Sequence, residues 1–257
     1  MIGFDNEQVM FHPYLTIFNL NNFLFIRKSP DLSISELSLQ RNLDLVSCLD
    51  IIPRELGLHT QDWRCIDCTK AIGALFGNGK VCAFTKKHYC EDCHVDEMSV
   101  IPSRLMYNWD AKSYPVAKSS FRFLQLARPL PILKIREFNP KLVDFVPSID
   151  PLMSQRKKLH YMHAYLTACS RADKMELLDK LTAHLGGRNY LCTGTEMFSL
   201  LDMEEVHSGQ MATLFKTSID ICAKHIDSCL VCSGRGFICE ICKVSQEIFF
   251  VILIFSL

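Results

Sequence analysis

Cys65-Ile66-Asp67-Cys68, answered after twenty-one residues by Cys90-Glu91-Asp92-Cys93, is the stretch that decides what kind of chain this is. Two thiolates two residues apart bend around one cation with their backbone amides aimed at the sulfurs. A second pair, returned by a hairpin, completes a tetrahedron with sulfur about 2.3 Å from zinc. The spacing is close to that of a zinc ribbon. A redox pair is the competing chemistry, but it needs an exposed low-pKa thiol, typically at a helix start. Cys82 and His94 crowd the same block. Six ligands are too many for one tetrahedral ion and two short of filling a pair. Either a second ion takes ligands from elsewhere, or these two are spectators, Cys82 as a small buried hydrophobe. His88 reads as an exposed hairpin residue.

A second block lies far downstream, Cys229-Leu-Val-Cys232-Ser-Gly-Arg-Gly-Phe-Ile-Cys239-Glu-Ile-Cys242. Glycines just after a cysteine pair permit the positive backbone angles of a tight knuckle. Its four thiols suffice for one zinc, although six residues make a short loop between pairs. His225, one turn before Cys229, is either a further ligand or a helix-end histidine favoured by the dipole. Structural zinc contributes an apparent ~10–16 kcal/mol in small fingers, as much as a whole domain's stability. The sites therefore drive folding.

Outward from these blocks, the composition bounds the rest. Of 257 residues 49% are hydrophobic and 22% charged, which excludes wholesale disorder. Lysine plus arginine equals aspartate plus glutamate at 28 each, and the pI is near 7.1, so no bulk electrostatic grip on nucleic acid or anionic lipid is expected. Thirteen cysteines demand disulfides or metal. No basic stretch precedes the apolar part of the first thirty residues, which Asn19, Asn21 and Asn22 interrupt. The reading is no signal peptide, reduced thiols and metal ligation. The apolar run Ile248 to Phe255 is too short to span a bilayer, which takes roughly 17–25 residues, and reads as a sticky end or a final strand.

Residues 1–40 form an unassigned N-terminal segment, with a helix and connection expected over 33–56 and Leu37, Leu45 and Leu49 as core. Residues 58–115 make the first zinc region, in which Gly77-Asn78-Gly79 signals a tight turn and Lys86-Lys87 the bend of a hairpin. A helical body follows over 118–224. Leu159, Met162 and Leu166 share one face, then Leu177, Leu178, Leu181 and Leu185, until Gly186-Gly187 stops the run. Met211, Leu214, Phe215, Ser218, Ile219, Cys222 and Ile226 trace one face of a helix that leads into the second zinc region, 225–243. The tail is 244–257. The fold class predicted is mainly α with small zinc-stabilised β-hairpins, a helical body flanked by two zinc-knuckle regions.

Catalytic signatures are missing from the sequence: no Gly-rich phosphate loop, no nucleophile-elbow serine, no His-Glu-x-x-His helix. Asp202, Glu204 and Glu205 read as acids favoured at a helix start. Cys48, Cys169, Cys192 and Cys222 lack partners in sequence and read as core or surface thiols. Arg156-Lys157-Lys158 reads as a solvated helix face.

Several motifs together resemble the Rubicon homology domain, the module of the autophagy regulators Rubicon and Pacer and of pleckstrin-homology-bearing endolysosomal adaptors. They are Asp62-Trp63-Arg64-Cys65-x-x-Cys68, Lys87-His88-Tyr89-Cys90-Glu-Asp-Cys93-His94, Val100-Ile101-Pro102-Ser103-Arg104 and Asn108-Trp109-Asp110. Thr167-Ala-Cys169, Met197-Phe-Ser199-Leu200, Ala223-Lys-His225-Ile-Asp-Ser-Cys229 and Gly236-Phe237-Ile238-Cys239-Glu240-Ile-Cys242 continue it through about residues 58–243. The family goes on with more cysteine pairs, a histidine-containing knuckle and a terminal Cys-Pro-x-Cys. Here Lys243 leads into Val244-Ser-Gln-Glu and the apolar tail, so the likeness is to a member truncated at its C-terminus.

The resemblance implies a non-enzymatic zinc-binding adaptor holding two or more zinc ions. It would bind the GTP form of a late-endosomal Rab GTPase, act in autophagy and endolysosomal traffic, and sit in the cytoplasm on late endosomes, lysosomes or autophagosomes. Membrane association would come through partners, and no nucleic acid is bound. It places Cys65, Cys68, Cys82, Cys90, Cys93, His94, His225, Cys229, Cys232, Cys239 and Cys242 where the family has cysteine or histidine. The rival readings are a RING-like ubiquitin ligase, a thiol-disulfide oxidoreductase and a chaperone-like zinc module.

Overall fold

The computed structural model describes residues 44–171 and 176–233, together with the backbone of two later strands, Gly236–Ile238 and Glu247–Phe249. In chain order the elements are β1 (Lys80–Val81), β2 (His88–Tyr89), β3 (Glu97–Val100), α1 (Pro102–Asn108), β4 (Ser113–Val116), α2 (Lys118–Ala127), β5 (Leu133–Lys134), α3 (Ile135–Phe138), α4 (Leu142–Phe145) and α5 (Ile149–Thr167). They continue as α6 (Leu177–His184), α7 (Tyr190–Thr193), β6 (Met197–Phe198), α8 (Leu200–Ser208), α9 (Gln210–Ser228), α10 (Leu230–Ser233), β7 (Gly236–Ile238) and β8 (Glu247–Phe249). Among the described residues helices predominate, and the strands pair as four antiparallel two-stranded ribbons. The chain divides into two compact units.

The first unit is built of turns. A 3-10 turn at Leu58–Gln61 precedes the first cysteine pair, and the Gln61 amide clamps the second strand: it accepts from the His88 N–H at 2.8 Å and donates to the His88 carbonyl at 3.0 Å. β1 and β2 pair as Lys80 with Tyr89 and Val81 with His88. The expected bend at Lys86-Lys87 is present, Lys86 taking a positive φ of 57° as its N–H donates to the Cys82 carbonyl. β3 and β4 form the longer ribbon, Glu97 opposite Val116 through Val100 opposite Ser113. Ile72, Cys82, Phe84, Tyr89, Val116, Ala117 and Leu124 make its small core, with Phe84 stacked on Phe123. Leu49 is buried as expected and Leu45 half-buried, whereas Leu37 lies outside the described residues.

The second unit is helical. Pro151 sits in the first turn of α5, where its missing N–H would have had no helical partner. The buried residues of α5, Ile149, Leu152, Arg156, Leu159, Tyr165 and Leu166, recur at helical spacing, and α9 is the helix that α5 packs against most extensively. On α9 the anticipated face is the buried one: Met211, Phe215, Ser218, Cys222 and Ile226 are interior, Leu214 and Ile219 half-buried. Gly186 and Gly187, both at positive φ, end α6 as the sequence signalled. Gly209, at φ +80°, is at once the last cap of α8 and the first of α9, so the chain turns from one helix into the next on one residue. The N-terminus of α8 carries a capping box. The Asp202 N–H donates to the Ser199 hydroxyl at 3.0 Å, and the Ser199 N–H to the Asp202 carboxylate at 2.7 Å.

One expectation is corrected here and another extended. Arg156 is not a solvated residue: it is fully buried over the Phe198 ring, 4.2 Å from its centre, and donates to the Gly194 and Tyr190 carbonyls at 3.1 and 3.0 Å. It lies on the apolar stripe of α5, and its neighbours Lys157 and Lys158 alone face water. Asp202 does more than answer a helix dipole. Besides the cap it accepts from Arg188 at 2.7 Å and from the Tyr190 hydroxyl at 2.8 Å, while Glu205 takes a second bond from Arg188 and Glu204 chelates Arg128.

Candidate metal centres

Cys65 and Cys68 stand on one knuckle of the first unit, whose backbone closes on itself: the Thr69 N–H donates to the Cys65 carbonyl at 2.9 Å, the Cys65 N–H to the Lys70 carbonyl at 2.8 Å. Cys90 and Cys93 stand on a second, closed by donation from the Cys93 and His94 N–H groups to the Cys90 carbonyl at 3.1 and 2.9 Å. The Ile66 N–H reaches the His88 carbonyl and draws the two knuckles together. All four sulfurs lie within 4.8 Å of one another, with Cys68 and Cys90 only 3.5 Å apart. Cys65 and Cys90 are buried, Cys93 half-buried and Cys68 exposed.

In the second unit Cys169, just past α5, meets His225 in the last turn of α9, Cys229 at its end, and Cys232 on α10. Again the four ligand atoms lie within 4.8 Å of one another, and here all four residues are buried. The Cys169 sulfur is 3.6 Å from His225 Nε2 and 3.8 Å from the Cys229 sulfur. A tetrahedral zinc would impose about 3.8 Å between two sulfurs and about 3.6 Å between sulfur and nitrogen. The Tyr165 hydroxyl donates to the Cys232 carbonyl at 2.6 Å and fixes the second knuckle against α5.

The charge balance within each group points the same way. At Cys65 burial raises the thiol, but the N–H groups of Cys68, Cys90 and Asp67 outweigh it and leave the thiol below its ordinary range. Cys93 beside it is driven strongly up, first by burial and then by its hydrogen bonds to Cys68, Cys90 and Cys65. In the second group the Cys232 and Val231 N–H groups hold the Cys229 thiol low, while burial and the neighbouring Cys169 and Cys229 push Cys232 up to about 12. In each group one thiol is lowered and a neighbour raised, as expected where sulfurs crowd around one point. A divalent cation removes that conflict, since coordination deprotonates the thiols.

The remaining sequence candidates fall elsewhere. The Cys82 sulfur lies against Ser120, 3.4 Å from its hydroxyl, and accepts from the Ala117 N–H at 3.3 Å. His94 is buried with Nδ1 3.4 Å from Asp96, and its Nε2 has no hydrogen-bond partner. Neither joins a group of four among the described residues. His88 meets the Leu56 carbonyl at 3.0 Å. Cys239 and Cys242 lie outside the described residues. The residue that reading the sequence missed is Cys169, taken for a packing thiol. The available signal was the motif Thr167-Ala-Cys169, which already carries the family resemblance. Cys222 and Cys48, by contrast, are packing thiols, pushed up by burial to about 12 and about 11.

With the geometry in hand, comparison with known proteins gives the lineage. The family model described as Rubicon Homology Domain matches residues 80–253, well over half of the chain. The chain belongs to the Rubicon homology domain family. Among its relatives, the human Pleckstrin homology domain-containing family M member 3 is 32% identical over 204 residues, which is 79% of this chain and 26% of that protein. The Xenopus laevis protein of the same name is 31% identical over 204 residues, 79% of this chain and 27% of its own. This Rubicon homology chain therefore spans about a quarter of the length of the curated relatives it matches. The family match starts at Lys80, after the first cysteine pair, and takes in both cysteine pairs of the second block.

Proposed function

We propose that each group of four holds one zinc ion, and that the chain is a non-enzymatic adaptor module of the endolysosomal and autophagic system. It binds a late-endosomal Rab GTPase in its GTP form and reaches the cytoplasmic face of late endosomes, lysosomes or autophagosomes through such partners. Family membership supports the adaptor reading. The observation that carries it is the pair of converged groups, Cys65/Cys68/Cys90/Cys93 and Cys169/His225/Cys229/Cys232. They commit eight cysteine and histidine side chains to shape rather than to reaction. The ligands of each group are consecutive along the chain instead of interleaved, unlike the cross-braced set of a RING-type ligase. Among the described residues no helix is long and apolar enough to cross a membrane, in keeping with recruitment by a partner. The working boundaries are 58–115 for the first zinc region, 118–224 for the helical body and 225–243 for the second.

When bound, the metal supplies fixed geometry and charge neutralisation. The chain's own part is to hold helix ends and knuckles rigid, so that an exposed helical face is presented in one conformation. Rab switch segments order on GTP, and a surface complementary to the ordered form reads nucleotide by differential affinity. Elemental analysis of the purified chain is expected to give two or more zinc ions per molecule. The chain is expected to capture the GTP form in a pulldown; equal capture of the GDP form refutes the Rab reading, and less than one zinc refutes the metal reading.

A further inference from the structure

We propose that Cys68 is a modification site for small oxidants and soft electrophiles, through which the first metal centre opens while the second stays closed. The inference rests on the reading that each group of four holds zinc. Of the eight residues in the two groups, Cys68 alone is exposed. Cys65 and Cys90 are 1% and 3% exposed, and Cys93 is half-buried. In the second group Cys169 and Cys232 are at 0%, Cys229 at 5% and His225 at 6%. One sulfur meets water, and the other donors are wholly or partly withheld from it.

Local structure puts it there. The residue after Cys68, Thr69, takes a positive φ of 60° as its N–H reaches back to the Cys65 carbonyl. Ile66, Thr69 and Lys70 are exposed as well, so the knuckle offers the sulfur no cover. Cys68 and Cys93 also line an open cavity of about 540 Å³, together with Ile66, Thr85 and Tyr89. A small reagent has ample room to approach.

Coordination supplies the reactivity, because a metal-bound thiol is deprotonated and the thiolate is the form that attacks. Hydrogen peroxide is the simplest oxidant. The Cys68 sulfur attacks one peroxide oxygen, the O–O bond breaks, hydroxide leaves and a sulfenic acid remains. The Cys90 sulfur, 3.5 Å away, then attacks the sulfenic sulfur, displaces a second hydroxide and closes a Cys68–Cys90 disulfide. The two thiolates have lost two electrons, the peroxide has gained them, and both hydroxides take protons from the buffer. Cys65 and Cys93 are left, two donors where a tetrahedral ion needs four. A thiol reductant with added zinc reverses the change. The reaction is stoichiometric, which separates it from the turnover of an oxidoreductase.

Purified zinc-loaded full-length chain would be treated with limiting hydrogen peroxide. Released zinc would be read with a chromogenic chelator and the oxidised cysteines mapped by peptide mass. One zinc ion is expected to leave, with Cys68 joined to Cys90 and the second group still reduced. Brief treatment with N-ethylmaleimide should label Cys68 before any other ligand cysteine. A Cys68→His chain keeps a donor at that corner but loses the attacking sulfur, and should release zinc at least about tenfold more slowly. No release, release of both ions at one rate, earlier loss from the second group, or labelling that starts at another ligand cysteine overturns the proposal. The labelling decides it even where the histidine variant fails to hold metal. Fewer than two zinc ions before any peroxide is added is a separate result, which overturns the metal reading and the proposal with it.

Discussion

The group at Cys65, Cys68, Cys90 and Cys93 is gathered from twenty-nine consecutive residues by turns and two-residue strands, and leaves Cys68 at the surface. The group at Cys169, His225, Cys229 and Cys232 is gathered from sixty-four residues, hangs from the ends of α5 and α9, and is closed to water. The first shapes a stretch with little apolar interior of its own; the second ties together helices that already share a hydrophobic seam. Local ligands give a site that builds one small structure. Distant ligands give a site whose loss is felt across a whole unit, because it also strands polar groups in the interior.

Replacing Cys169 by serine should have the largest effect. One metal equivalent should be lost and the far-UV helical signal reduced with a large fall in Tm, since ~10–16 kcal/mol of apparent zinc stabilisation exceeds what most domains can spare. A Cys169→Ser chain that keeps two zinc ions on elemental analysis would break the comparison. Cys90→Ser should come next, costing one metal equivalent while the helical signal is largely kept. The damage should show as new tryptic cleavage at Arg54, Arg64, Lys70, Lys86 or Lys87. Loss of helical signal equal to that of Cys169→Ser would erase the distinction between the two regions. Cys222→Ala should matter least. That thiol is as buried as Cys169 and on the same unit, yet both metals should remain and thermal or urea unfolding should register only about 1 kcal/mol.

The same contrast governs what the sequence could disclose. Cys65 and Cys68, and Cys90 and Cys93, were readable because pairs two residues apart and one hairpin of spacing converge by local geometry. The helical faces of α5 and α9 and the glycine stop at Gly186-Gly187 were readable because burial on a helix has a period. Cys169 was not legible from spacing, since its nearest partner is 56 residues away and no second cysteine lies beside it in the sequence. Arg156 misled through its neighbours: a run of three basic residues looks solvated, although position 156 falls in phase with Leu152 and Leu159. Asp202 was read only as an acid favoured at a helix start; its cap with Ser199 and its bonds to Arg188 and Tyr190 emerge from the fold, the latter two from how α6 and α7 lead the chain back.

Gly209, the solitary joint between α8 and α9, makes α9 a lever with a very short fulcrum. Nineteen residues at 1.5 Å each give an arm of about 28 Å, so a tilt of about 10° at the joint sweeps the far tip through about 5 Å. His225 and Cys229 ride on that tip. A side chain at position 209, forced out of the left-handed angle, would lift both donors away from Cys169 without touching any sulfur.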